Sequence, residues 1–161
     1  LGNYYWMWAY HIYVSKMQKE IQLTDPKYRE TFCGKVMGLS AYGNLKEFKK
    51  DWRTHFEGIP QVALESLPSQ DFNYGNLSPE NKAKQLQYNF ENAMLEWMKE
   101  LREKDYINDN LCLAGGVFLN ILANSVLRKN KIVDNIHIPP FPDDTGLSFG
   151  AAALGLSLIH I

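Results

Sequence analysis

The hydrophobic pattern changes character along the chain. From Tyr4 to Val14, aromatic and aliphatic residues follow one another without polar alternation, which predicts a helix buried on most sides and running on into the polar stretch Ser15–Gln22. Core packing is the plainer role for these rings, and an aromatic carbohydrate platform is the rival. Asp25-Pro26 marks a turn or helix start. Gly34, Gly38 and Gly43 oppose a long regular element, so Gly34 to Gly43 reads as a loop holding at most a short helix. Leu45, Phe48, Trp52 and Phe56 then recur at helical spacing, with Lys46, Lys49 and Lys50 on the wet side. Residues 58–78 carry Pro60, Pro68, Asp71, Asn73, Gly75 and Asn76 and read as a loop-rich excursion with room for one short strand.

Ser78-Pro79-Glu80 is a helix start: a side-chain acceptor at the cap, then proline where no N–H is missed. Ala83, Leu86, Phe90, Ala93, Met94, Trp97, Met98 and Leu101 make one apolar stripe beyond it, with Lys, Glu and Gln on the other face. The last third alternates. Leu111–Ala114 is a short apolar strand ended by Gly115-Gly116, and Leu119 to Lys129 resumes helical spacing. Ile136–Ile138 is a second strand, stopped by Pro139-Pro140, and Asp143-Asp144-Thr145-Gly146 leads into a small-residue helix from Phe149 to Leu158. Strand, glycine turn, helix, strand, acidic turn, helix is an α/β order that predicts a parallel pair of strands.

Composition narrows the classes. The 161 residues amount to about one domain. With 17 Lys plus Arg against 18 Asp plus Glu, net charge -1, there is no basic excess, so no nucleic-acid partner is expected. At 45% hydrophobic the chain can bury a sizeable core, which excludes wholesale disorder. Cys33 and Cys112 are too few for a disulfide scaffold or a zinc site of their own and fit reduced thiols in a cytoplasmic protein. No apolar run reaches the ~20 residues that cross a bilayer, and no signal peptide is read. The opening Leu1-Gly2-Asn3 and the apolar close at Leu158-Ile159-His160-Ile161 read as a fragment of something longer, with final residues that need not be native.

Several motifs fail on spacing. Gly38–Gly43 is one residue too long for a G-x-S-x-G elbow. Gly34-Lys35 lacks the P-loop's first glycine, since Arg29 stands there, and Val36 replaces its Ser or Thr. His11, His55, His137 and His160 form no H-x-x-x-H pair. Two turns remain. At Gly115-Gly116 the backbone leaves a strand without Cβ atoms and enters a helix, which suits a phosphate or ribose edge or is merely a tight turn; Asn120, in the first helical turn, could meet a ligand hydroxyl. Asp143 and Asp144 stand at the other strand's carboxyl end, where one caps the next helix and the other is free for a cation. Ligands of open α/β sheets gather at such strand ends, so the two turns are expected to share a nucleotide and metal cleft.

These residues then become recognisable. Leu111-Cys112-Leu113-Ala114-Gly115-Gly116-Val117-Phe118-Leu119-Asn120 resembles the L-A-G-G-V-A-L-N segment of the NodU/CmcH carbamoyltransferases, with Phe118 for the usual small residue. Pro139 through Ala152 resembles their P-x-x-x-D-x-G-x-x-x-G-A-A, and Gly34 through Gly43 their G-K-x-M-G-L-A-x-Y-G. Leu1-Gly2-Asn3-Tyr4-Tyr5 resembles their L-G-x-x-Y opening, and Ala83 to Phe90 falls where they carry a helix ending in Q-x-x-F-E.

The resemblance implies an α/β fold, the second half of an actin-like (ASKHA/RNase H-like) ATPase domain, a mixed sheet flanked by helices, occupying residues 1–161 and related to the tRNA threonylcarbamoyl transferases. It implies an O-carbamoyltransferase: a separate domain makes carbamoyl-adenylate from carbamoyl phosphate and ATP, and the actin-like domain passes the carbamoyl group to a hydroxyl of a small molecule or sugar. Gly115, Gly116 and Asn120, with Lys35 in addition, are the implied nucleotide-side residues. Asp144 maps onto a metal-binding aspartate, because Asp144-Thr145-Gly146 fits the family's D-x-G, and the metal would be divalent, iron or another transition metal. A homodimer is one assembly this allows. The histidine pair that completes the family's metal site and the adenylate-forming domain are both absent, and Cys33 stands where many members carry glutamate. This chain alone is therefore expected to lack the full reaction, and to leave an apolar face exposed where missing segments complete the sheet. An actin-fold sugar kinase and a non-catalytic fragment are the alternatives.

Overall fold

A computed structural model describes residues 2–17, 32–45 and 77–159. The Asp25-Pro26 turn, the helix expected through Phe48, Trp52 and Phe56, and nearly all of the loop-rich excursion lie outside the described residues. The chain forms two compact units, Leu1–Glu96 and Trp97–Ile161.

In the first unit, helix α1 (Gly2–Met17) carries the aromatic run, and Tyr4, Tyr5, Trp8, Ala9 and Ile12 are buried. Helix α2 (Phe32–Leu39) and a 3-10 helix (Ser40–Tyr42) occupy the segment expected to be mostly loop. The glycines do not prevent this helix, because Phe32 and Val36, one turn apart, bury their side chains; the Phe32 ring meets Trp6, Tyr10 and Tyr13 of α1 at 5.4, 5.8 and 6.4 Å. Tertiary packing overrides the propensity cost of glycine. Gly43 has a separate reason: a Cβ there would collide with the backbone at Glu80 and the side chain of Lys84.

Helix α3 (Pro79–Glu103) begins as its sequence predicts, with Ser78 Oγ accepting from Asn81 N–H at 3.2 Å and Pro79 as first residue. Ala83, Leu86, Phe90, Ala93, Met94 and Met98 are buried, whereas Trp97 is 45% exposed. The opposite face is not uniformly wet: Gln85, Gln87 and Asn89 are buried too. Gln87 Oε1 accepts from the Tyr5 hydroxyl at 2.9 Å, and Gln85 Nε2 donates to Asn89 Oδ1 at 2.6 Å. Hydrogen bonds satisfy part of what polarity alone would have kept in water. The helix ends in a Schellman motif, with Tyr106 N–H donating to Leu101 C=O (2.9 Å), Asp105 N–H to Arg102 C=O (3.1 Å), and Asp105 at φ 57°.

The second unit continues with strand β1 (Asn110–Cys112), a 3-10 helix (Gly116–Leu119), helix α4 (Ile121–Asn130), strand β2 (Asn135–His137) and helix α5 (Gly146–Ile159). β1 and β2 pair in parallel with Leu111 opposite Ile136, so the expected strand pair forms, each strand starting one residue earlier than its apolar run. Leu113, Phe118, Ala123, Leu127 and Val133 form the core of this βαβ element. α5 starts three residues before its predicted place and differs from every other helix, since Leu147 through Ile159 are all exposed. No helix among the described residues is long and apolar enough to cross a membrane.

Candidate functional site

The site is built where the two strands end. β1 delivers the chain to Gly115, whose φ of +113° is rarely adopted by a residue with a Cβ. Gly115 N–H donates to the Pro142 carbonyl at 2.5 Å, and Phe118 N–H donates to Gly115 C=O at 3.0 Å to close the 3-10 helix. Pro142 lies on the segment leaving β2, directly before Asp143. One backbone bond therefore ties the glycine turn to the acidic turn, and a Cβ on Gly116 would stand 3.8 Å from the Asp143 Cβ, in ordinary contact. The two strand-end turns thus touch each other.

The glycine faces border open space: a Cβ on Gly115 would meet nothing within 4 Å, and one on Gly116 only Asp143. With Gly115 N–H bound to Pro142, the amides of Gly116 and Val117 are the donors left without a backbone acceptor among the described residues. A Cβ-free surface with open amides fits the edge of a ribose or phosphate. Asn120 lies behind this surface, buried, and its Oδ1 accepts from Ala123 N–H at 3.0 Å as the N-cap of α4. That oxygen is engaged by the helix and is not free for a ligand hydroxyl.

The two aspartates differ in what they hold. Asp143 Oδ1 accepts from the Thr145 amide (3.2 Å) and hydroxyl (2.5 Å), and its carbonyl accepts from Gly146 N–H at 3.0 Å. Asp143 thus caps the turn into α5. Asp144 is exposed, and its carboxylate has no partner among the described residues. Gly146 lies against the Phe141 carbonyl, where a Cβ would not fit, so the turn is held tightly. Among the described residues no three His, Cys, Asp or Glu side chains come together in a way that could hold a metal ion. The described residues do not fit a metal site by themselves; Asp144 offers one donor.

Lys35 belongs to the first unit. Its ammonium donates to the Tyr13 hydroxyl at 3.2 Å and stands 5.3 Å from the centre of that ring, a local cation–π contact. Two residues earlier on the same helix, burial pushes the Cys33 thiol up to about 11, so the thiol is protonated at neutral pH. Two groups of the site escaped sequence reasoning. The Pro142 carbonyl acts through backbone alone and leaves no signature in side-chain type. Asn124, whose Nδ2 donates to the Phe118 carbonyl at 2.7 Å, had a faint one in its spacing of four from Asn120.

Residues 1–153 match the family model described as carbamoyltransferase N-terminus. Nodulation protein U of Sinorhizobium fredii (strain NBRC 101917 / NGR234) is 31% identical over 144 residues, covering 74% of this chain and 26% of that protein. Nodulation protein U of Rhizobium fredii is 54% identical over 43 residues, 27% of this chain and 7% of that protein. An uncharacterized protein of Methanocaldococcus jannaschii is 32% identical over 135 residues, 74% of this chain and 25% of that protein. The chain spans about a quarter of the length of the Sinorhizobium fredii and Methanocaldococcus jannaschii relatives. No solved structure matches it.

Proposed function

Because this chain belongs to the carbamoyltransferase N-terminus family, we propose that it forms part of an O-carbamoyltransferase, and that the joined turns at the ends of β1 and β2 are its nucleotide side. The reading takes the mixed α/β arrangement as part of an actin-like ATPase domain, with carbamoyl-adenylate, made from carbamoyl phosphate and ATP, as the donor. In the transfer, an acceptor hydroxyl oxygen bonds to the carbamoyl carbon while the bond from that carbon to the adenylate phosphate oxygen breaks, releasing AMP and the hydroxyl proton.

The observation that carries the reading is the Gly115–Pro142 backbone bond, which sets an open glycine surface against the acidic turn of Asp143 and Asp144. Gly116 lets the adenosine part approach the backbone closely. Asn120 fixes the entrance of α4 behind it, and Asp144 offers one carboxylate to a divalent cation whose other ligands come from elsewhere. Lys35, an exposed cation, stays a nucleotide-side candidate on family resemblance alone. The acceptor is a hydroxyl-bearing small molecule or sugar.

The test uses a full-length polypeptide containing these residues, supplied with ATP, labelled carbamoyl phosphate and a panel of hydroxyl acceptors. The expected products are AMP and a labelled carbamate ester, with AMP appearing only when carbamoyl phosphate is present. ADP with a phosphorylated sugar would replace this reading with a kinase, and no nucleotide turnover would favour a non-catalytic role.

A further inference from the structure

We propose that Asn124 is a positioning residue for the glycine turn, an inference that rests on the nucleotide reading of that turn. The 3-10 helix Gly116–Leu119 is a single turn and cannot satisfy its own last carbonyls. Asn120 N–H takes the Val117 carbonyl at 3.2 Å, after which the chain swings into α4 through Asn120 at φ -77°, ψ 92°. The Phe118 carbonyl is left over, on a residue whose side chain is packed into the core. Asn124 Nδ2 reaches back six residues to donate to it at 2.7 Å.

Asn120 and Asn124, one helical turn apart, thus fasten opposite ends of the junction. Asn120 Oδ1 holds the first turn of α4, and Asn124 Nδ2 holds the last peptide of the 3-10 helix. Phe118 is also the residue whose N–H closes on Gly115 C=O. Freeing its carbonyl loosens the hydrogen-bonded turn from Gly115 to Phe118, which encloses the Gly116 and Val117 amides. The Asn124 Oδ1 is buried without a partner, so the bond to Phe118 is the one hydrogen bond this side chain makes among the described residues. A side chain that buries one idle polar atom to make one bond is placed there for that bond.

The test measures equilibrium binding of ATP, KM for ATP, kcat and backbone amide exchange in a full-length polypeptide carrying Asn124→Ala, with Ser125→Ala as control. Ser125 makes a comparable side-chain bond, to the Ile121 carbonyl at 2.8 Å, on the exposed side of the same helix. Asn124→Ala is expected to weaken ATP binding and raise KM for ATP about tenfold, with kcat nearly unchanged, and Ser125→Ala to do neither. Exchange should accelerate at residues 116–119 but not along α4. Equal ATP affinity in the two variants, or acceleration spread evenly over α4, overturns the inference. If Asn124→Ala does not fold, Asn124→Ser is judged by the same criteria, and failure of both to fold also overturns it, because the bond then supports the whole unit. A parent polypeptide that binds no ATP instead removes the nucleotide reading beneath it.

Discussion

Gly115 and Gly116 are neighbours with different reasons to be glycine, and the difference decides which can be tested. Gly115 sits at φ +113°, so any side chain there strains the backbone whatever the space around it. Gly116 has an ordinary φ and meets only Asp143 at contact distance. Gly116→Val in a full-length polypeptide is therefore expected to lower ATP affinity at least tenfold with a melting temperature close to that of the parent, read by calorimetric binding and a thermal melt. Gly115→Ala is expected to lower both. The aspartates separate in the same way. Asp143→Asn keeps a capping oxygen, so little change in melting or metal content is expected. Asp144→Asn removes a charge from a side chain that holds nothing in place, so metal content and carbamoyl transfer should fall with stability unaltered. Elemental analysis of both variants checks this, and loss of metal in Asp143→Asn alone would put the ligand one residue earlier. Residue chemistry alone could not apportion this pair, because cap and ligand ask for the same side chain; the D-x-G resemblance singled out Asp144, and the Thr145 amide and hydroxyl show that Asp143 is the engaged one.

Among the elements, starts were more legible than stops. Ser78-Pro79 announces α3 because a hydroxyl cap and a proline are both visible in one dimension. Its end is not, since Asp105 rather than glycine takes the left-handed position of the Schellman motif. An L residue pays a backbone cost there, so Asp105→Gly is expected to stabilise the fold by about 0.5–1 kcal/mol, measured by denaturant unfolding. A loss of stability would mean that the Asp105 side chain supports the turn after all. α2 was the converse case: Gly34 and Gly38 spoke against a helix, and only the aromatic neighbours of Phe32 outweighed them. Gln85 and Gln87 fall on the face that polarity assigns opposite the apolar stripe, yet both are buried, because a polarity pattern carries no record of partners in the fold, such as the Tyr5 hydroxyl. The parallel pairing of β1 with β2 was readable, because two short apolar runs separated by a helix leave few other arrangements.

At the scale of the whole molecule, α5 stands out. Leu147, Phe149, Leu154, Leu156, Leu158 and Ile159 are each between 59% and 78% exposed on a helix with no polar face. An element apolar all round belongs in an interior, so the expected exposed apolar surface is present. Residues 1–161 studied alone are expected to bind an apolar fluorescent dye, and Leu147→Lys with Leu154→Lys to reduce that binding while leaving helical circular dichroism intact. Dye binding unchanged by the pair would place the apolar surface elsewhere. The bond from Gly115 N–H to the Pro142 carbonyl has a thermodynamic consequence of its own. Two turns that share a hydrogen bond cannot be ordered independently, so on the proposed function a cation at Asp144 and a nucleotide on Gly116 would be linked ligands. Whatever factor the first multiplies into the affinity of the second, the second must return to the first. Titrating ATP with and without a divalent cation, and the cation with and without ATP, should close that cycle with one coupling factor greater than unity, and Asp144→Asn should bring it to one.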